Sequence, residues 1–300
     1  MSVPETPPRR TAHQYITLSL FRPAPSSQIF MFSSSPPDSP STPVAPSDSP
    51  PAKSGRLPRR WRRDWGEEDR RLLEGPRSRW AEFKTLLHIG WEFLSGFREL
   101  HFLGPSVTVF GSARFPPGHP YYELGRQVGA EVARLGFNVI TGGGPGIMEA
   151  ANRGAQEAGG HSIGCNIILP KEQSANNYID RLISFDYFFI RKVMLVKYSQ
   201  AFVILPGGFG TLDEAFEAAT LVQTGKMQEF PIIFMGVDYW QPLFDFLRNT
   251  MEPAKTIDPD DIERFLLTDS IEELREGLLQ TPFKLFAGKP RYRRRWWLGE

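Results

Sequence analysis

The chain has 300 residues, with 35 Lys plus Arg against 34 Asp plus Glu and a single Cys, and this arithmetic already closes several routes. The length suits one large domain or two small ones, at roughly 100–200 residues each. One cysteine can build neither an internal disulfide nor a thiolate metal cluster, so a secreted disulfide scaffold and a zinc ribbon are excluded and a cytoplasmic chain is expected. The formal charge of +1 conceals a distribution: residues 1–60 carry +4 and 284–300 carry +5, whereas 105–283 carry −8. No stretch approaches the roughly 18 consecutive apolar residues of a membrane-spanning helix. The N-terminus also lacks a secretory layout, so no membrane partner is expected, and the near-zero net charge argues against a nucleic-acid partner.

Along the chain, residues 1–60 hold 13 of the 27 prolines and 12 serines, which cannot bury enough apolar surface to offset their ordering entropy. A disordered tail is expected there, with Met31 as an alternative start. Residues 61–104 turn to Trp, Arg, Glu and Leu. Phe83, Leu86, Leu87, Trp91, Phe93, Leu94 and Phe97 are spaced for an amphipathic helix laid on a larger body or on a second subunit. From residue 105 to 283, short β-branched runs alternate with helical stretches. The predicted strands are Val107–Phe110, Phe137–Thr141, Ser162–Ile168, Phe202–Leu205 and Pro231–Met235. The predicted helices are Tyr121–Leu135, Ile147–Ala158, Ile190–Ser199, Leu212–Gln223, Trp240–Thr250 and Ser270–Leu279. Such alternation implies a parallel sheet covered on both faces, and sheets of this kind bind ligands at the carboxyl ends of their strands. Residues 284–300 form a basic tail, with four arginines and two tryptophans in Arg291–Trp297, read as solvated or as a partner contact in preference to a nucleic-acid contact.

Three of the loops after predicted strands are rich in glycine: Gly111-Ser112, Gly142-Gly143-Gly144-Pro145-Gly146, and Pro206-Gly207-Gly208-Phe209-Gly210-Thr211. The last two open directly into helices. Glycine lets backbone N–H groups converge, and a helix N-terminus adds about half a positive charge, so the loops together make an anion cradle suited to phosphate. Tight strand-to-helix turns would use glycine equally well, and for any one loop the two readings are even. The dinucleotide fingerprint fails at its third position, which is Ile147 in one loop and Asp213 in the other, and the Gly-Lys pairs lack the rest of a P-loop. A mononucleotide or sugar phosphate remains.

Pro206-Gly207-Gly208-Phe209-Gly210-Thr211-Leu212-Asp213-Glu214 resembles the P-G-G-x-G-T-x-x-E signature of the LOG (LONELY GUY) family, cytokinin riboside 5'-monophosphate phosphoribohydrolases long labelled lysine decarboxylases. Gly142–Ala155 and Ile190-Arg191-Lys192-Val193-Met194 resemble two further blocks of that family in the same order, and the likeness runs from about Trp80 to Leu279. The resemblance implies a Rossmann-like, doubly wound α/β fold in three α/β/α layers, a single catalytic domain and a homodimer. It also implies hydrolysis of the N-glycosidic bond of a nucleoside 5'-monophosphate, with no cofactor. Its paired catalytic residues fall on Arg191 and Glu214. Its substrate contacts fall on Gly111, Ser112, Gly143, Gly144, Glu149, Gly207, Gly208, Phe209, Gly210 and Thr211. One departure is visible, since plant-type members have Met-Gly where this chain has Met148-Glu149.

Each of these residues also has a plainer role open to it. Thr211-x-x-Glu214 is a capping box as well as a catalytic spacing. Arg191 at a helix start opposes the helix dipole, which favours a functional reason for it, although most arginines are solvated. Glu149 suits ribose hydroxyls or simply the first turn of its helix, and Asn152, Arg153 and Asn166 are weaker candidates of the same kind. Lys192 and Lys197 bear on a decarboxylase reading that needs a Schiff-base lysine, which nothing in the sequence marks. Cys165 lies in an apolar strand and reads as core. The five His show no ligand spacing, so no metal is expected. The expected function is hydrolysis of AMP or an N6-modified AMP to the free base and ribose 5-phosphate. The alternatives are a nucleotide carrier without turnover and a transferase that uses Glu214 as nucleophile.

Overall fold

The computed structural model describes residues 68–168, 175–227 and 230–280. The tails read at 1–60 and 284–300 lie outside the described residues. Two helices come first, α1 (Glu68–Leu73) and α2 (Arg79–Leu100). The Ser78 hydroxyl caps α2 by accepting from the Ala81 N–H, as a residue with one small acceptor does at a helix start.

The body then runs β1 (Ser106–Phe110), α3 (Pro120–Arg134), β2 (Asn138–Thr141), α4 (Ile147–Glu157), β3 (Ser162–Ile167), β4 (Arg181–Phe185), α5 (Phe188–Tyr198), β5 (Ala201–Ile204) and α6 (Phe209–Gln223). It continues with β6 (Ile232–Met235), α7 (Val237–Phe246), α8 (Pro259–Glu263), β7 (Phe265–Thr268) and α9 (Ile271–Gln280). The seven strands form one sheet in the order β4-β3-β2-β1-β5-β6-β7, and every neighbouring pair is parallel. The chain walks outward from β1 to β4, then returns to the far side of β1 to lay down β5. That reversal places a topological switch point between β1 and β5, where a crevice opens at the carboxyl ends of the strands.

Side chains alternate across the sheet with period two and build two cores. Val107, Val109, Ala201, Val203, Leu205, Ile233 and Met235 face one way and meet Val128 and Val132 of α3, Ile147 and Ala151 of α4, and Leu274 and Leu278 of α9. Phe110, Phe202, Ile204, Ile232 and Phe234 face the other way, against Ile190 and Met194 of α5, Ala215 and Ala218 of α6, and Trp240 and Phe244 of α7. Each such fully buried aliphatic or aromatic side chain contributes about 1.5–3 kcal/mol of transfer free energy. This is the predicted three-layer α/β/α arrangement.

Helices α3 and α4 touch backbone to backbone. A Cβ on Gly129 would stand 2.0 Å from the Ala151 carbonyl oxygen, and one on Gly154 would stand 1.9 Å from that of Arg126.

The five predicted strands are all present, and the sheet adds two edge strands, β4 and β7, that the sequence pattern does not signal. β4 alternates exposed Leu182 and Ser184 with buried Ile183 and Phe185 behind an arginine. β7 follows directly on the acidic helix α8, so its Phe265-Leu266-Leu267 reads as a continuation of that helix. The predicted helix Trp240–Thr250 divides into α7 and a π-helical turn, Leu247–Met251. α2 removes one of two alternatives, that its apolar stripe packs on the body. It turns Glu92, Gly96 and Leu100 to the body, with Gly96 close under Met194 and Phe185. Of the seven-residue apolar stripe, Phe93 packs on the core and the other six stay exposed, Trp91 at 66%.

Candidate active site

The three glycine loops meet at the switch point and are stitched together by backbone. The Ser112 N–H donates to the Pro206 carbonyl at 2.9 Å, and the Ile147 N–H donates to the Ser112 carbonyl at 3.0 Å. Contact distances explain two of the glycines. A Cβ on Gly111 would stand 2.4 Å from Ile147 Cγ2, and one on Gly207 would stand 2.1 Å from Thr211 Oγ1. Gly208 and Gly210 have no such neighbour within 4 Å, so they leave the start of α6 open. Phe209 between them is 93% exposed. The cap of α6 is Gly208, with no side-chain bond to the helix start. The helix thus begins three residues before the predicted Leu212, and the capping-box role for Glu214 is overturned.

Freed from capping, Glu214 is 4% exposed and points at Arg191 on α5, with Arg191 Nη2 4.0 Å from Glu214 Oε1. Glu214 Oε2 and Arg191 Nε are buried and have no hydrogen-bond partner among the described residues. Two opposite charges at this separation with unmet valences have capacity for a polar ligand between or beside them. Burial pushes the Glu214 carboxyl up to about 7, and the positive charges of Arg191 and then Lys192 pull it back only partly. Arg191 also lies against the second glycine loop, 3.3 Å from where a Cβ of Gly142 would stand, beside Met148 Sδ at 2.8 Å. Glycine at 142 therefore lets the guanidinium reach the loop backbone.

The other predicted residues divide. Gly143 and Gly144 sit in the buried floor of the second loop, where the Gly143 N–H donates to Thr141 Oγ1 at 3.0 Å. Glu149, in the first turn of α4, accepts from the Tyr122 hydroxyl at 3.0 Å and is half-buried. Asn152 is fully buried and committed elsewhere: it accepts from Thr141 Oγ1 at 2.7 Å and donates to Ser162 Oγ at 2.7 Å. Arg153 is held by Glu157 at 2.8 Å and lies over the Tyr178 ring. Asn166 is on β3, in register with Ser184 of the edge strand. Among the described residues none of these three forms a hydrogen bond or ion pair with Arg191 or Glu214. Cys165 is fully buried, and burial pushes its thiol up to about 12, so it is an inert core residue.

A family model described as "Possible lysine decarboxylase" matches residues 148–278. A cytokinin riboside 5'-monophosphate phosphoribohydrolase of Mycobacterium tuberculosis is 35% identical over 176 residues, 56% of this chain and 90% of that protein. The chain belongs to the cytokinin riboside 5'-monophosphate phosphoribohydrolase (LOG) family. An Arabidopsis thaliana phosphoribohydrolase of the same name is 28% identical over 57% of this chain and 76% of that protein. Among solved structures, the molybdenum cofactor binding protein of Rippkaea orientalis aligns with a TM-score of 0.43 and 24% identity, over 58% of this chain and 97% of that chain.

For a LOG-family chain, the lysine-decarboxylase label meets a physical obstacle at Lys192. Its ammonium sits 2.8 Å from Asp213 Oδ2 and 2.6 Å from Glu217 Oε2. Burial lowers its pKa, but Asp213 and Glu217 raise it by more, so the amine is held protonated rather than poised as a nucleophile. In this fold the pairs instead fasten α5 to α6, the helices that carry Arg191 and Glu214. Two supporting residues have no signature in the sequence. Asn176 holds the second loop by donating from its backbone N–H to the Gly143 carbonyl and from Nδ2 to the Gly144 carbonyl, each at 3.0 Å. Tyr239 of α7 donates its hydroxyl to the Gly207 carbonyl at 2.9 Å. Each of these side-chain bonds spans 32 residues of sequence, which no local pattern can reveal.

Proposed function

We propose that the chain hydrolyses the N-glycosidic bond of a nucleoside 5'-monophosphate, AMP or an N6-modified AMP, giving the free base and ribose 5-phosphate. The observation that carries this reading is Glu214, a buried carboxylate facing Arg191 just inside the glycine loop that opens α6. The 5'-phosphate rests on the amides of Gly208–Thr211 and on Arg191, since a helix start and a guanidinium are both built for phosphate oxygens. As the bond from C1' to the base nitrogen breaks, the electron pair leaves with the base, which takes up a proton, and positive charge develops on the ribose. The Glu214 carboxylate stabilises that charge and accepts a proton from the water whose oxygen attacks C1'. A base whose pKa stands at about 7 is well matched to that transfer. Glu149 faces the ribose, and the Gly143-Gly144 backbone, held by Thr141 and Asn176, gives the loop its shape.

The test is incubation of pure chain with AMP and no acceptor. Adenine and ribose 5-phosphate in equal amounts are expected. Tight AMP binding without release would favour the carrier reading, and release only with an added base would favour the transferase.

The protein acts in the cytoplasm as a homodimer. Its single cysteine, free and buried, suits a reducing compartment. No helix among the described residues is long and apolar enough to cross a membrane. The dimer reading is supported by the outer side of α2, where Trp80, Leu87, Trp91 and Leu94 are all at least half exposed, a concentration of apolar surface that marks interaction sites. Light scattering on the eluted protein should give twice the chain mass for the wild type and one chain mass for a Leu87→Glu, Trp91→Glu double variant. A monomeric wild type, or an unshifted variant, would refute the α2 interface.

A further inference from the structure

A second cluster of chemistry-bearing groups lies away from the glycine loops, where α2 meets the junction between β4 and α5. His88 and Glu92 are one turn apart on α2 and so share a face. Asp186, in the short link between β4 and α5, comes against them. One imidazole nitrogen and one oxygen from each carboxylate all lie within 4.8 Å of one another. His88 Nε2 is 3.2 Å from Asp186 Oδ2. Two donors each about 2.0–2.1 Å from a tetrahedral zinc ion stand about 3.3 Å apart, so this edge already has the required length.

Glu92 supplies an independent indication. It is 8% exposed, one of its oxygens accepts from the Asp186 backbone N–H, and its Oε2 has no hydrogen-bond partner among the described residues. A carboxylate oxygen withdrawn from water and left without a donor is costly, and a second carboxylate beside it adds repulsion. Beside the cluster, the Tyr187 ring packs edge-on to His88 at 5.6 Å, and its buried hydroxyl also lacks a partner among the described residues.

We infer that His88, Glu92 and Asp186 form a three-ligand site for a first-row divalent cation of the Zn²⁺ class, which clamps α2 to the start of α5. One imidazole and two carboxylates suit Zn²⁺, Co²⁺ or Mn²⁺ better than an all-oxygen calcium cage, and three protein ligands leave a position open for water. Histidine spacing could not reveal this site, because it uses one histidine and its third ligand lies 94 residues beyond Glu92. The inference is independent of the hydrolytic reading, since cation binding is measured without nucleotide.

The test strips the full-length chain with EDTA and titrates it with Co²⁺, followed by Zn²⁺. One equivalent of Co²⁺ per chain is expected, with the visible absorption of a low-coordinate ion, displaced stoichiometrically by Zn²⁺. Zn²⁺ should also raise Tm. His88→Gln and Asp186→Asn should each weaken binding at least about tenfold. Both replaced side chains are partly exposed, and the Tm of each variant in EDTA verifies that it folds. Absence of saturable binding by the wild type overturns the site. So does undiminished binding by both folded variants, which would place the cation elsewhere.

Discussion

Glu214→Gln is expected to lower kcat by roughly 10²–10⁴-fold, the usual contribution of a positioned acid–base group, while leaving the Kd for AMP within a few-fold. The amide has the same shape and fills the same buried place facing Arg191, so binding through the glycine loops survives. What it lacks is the negative charge that a ribosyl cation needs and the basicity that accepts a proton from water. Wild-type kcat should fall as pH drops through about 7, where the carboxylate protonates. The stability effect runs the other way. A carboxyl raised from 4.5 to about 7 in the folded chain binds more protons folded than unfolded, so its contribution is fully present below about 4.5 and is lost as pH rises through about 7. Above that pH the buried charge costs on the order of 3 kcal/mol. The Gln variant escapes this cost. Its Tm should therefore exceed that of the wild type at pH 8 and match it near pH 4. A variant that keeps wild-type turnover removes the catalytic assignment, and a Tm difference independent of pH removes the electrostatic account of it.

Gly154→Ala is expected to destabilise the fold by about 2 kcal/mol or more, a fall in Tm of roughly 4–8 °C. Two effects oppose each other. Alanine in a helix interior is favoured over glycine by about 1 kcal/mol. The added Cβ, however, would stand 1.9 Å from the Arg126 carbonyl oxygen and 2.9 Å from the Ala130 nitrogen, and both are backbone atoms that no rotamer change can move. α3 and α4 must part, which costs more than propensity returns. Gly90→Ala is the control, since a Cβ there meets nothing within 4 Å on the exposed side of α2. It should be neutral or stabilising by up to about 1 kcal/mol. Equal effects of the two substitutions on Tm would show that propensity, not helix contact, governs Gly154.

The central strands are legible in the amino-acid sequence because β1, β2, β5 and β6 are buried on both faces and their β-branched and aromatic runs are nearly unbroken. The edge strands are not, because partial burial admits Arg181 and Ser184 into β4 and β7 follows α8 with one residue between them, so its apolar run reads as more of that helix. Arg191 and Glu214 are legible as a pair only through the family blocks. Their spacing alone favours a helix cap for Glu214, and the start of α6 at Phe209 is what releases it. Asn176, Tyr239 and Asp186 act across long sequence separations, beyond the reach of local pattern. Asn152 shows the opposite error, since a polar residue next to a phosphate loop reads as a ligand contact but is consumed by Thr141 and Ser162.

The switch point between β1 and β5 has a consequence for how the chain folds. β1 through β4 pair with strands nearby in sequence, whereas β1 meets β5 only across some 94 residues, the separation at which Ser106 is held by Gln200. Closing a loop of this length costs more chain entropy than the local strand pairings do. Until β5 docks, the inner edge of β1 stays unpaired and open to other strands. The crevice that collects the three glycine loops therefore exists only once β5 lies against β1, and a chain without that pairing has no site.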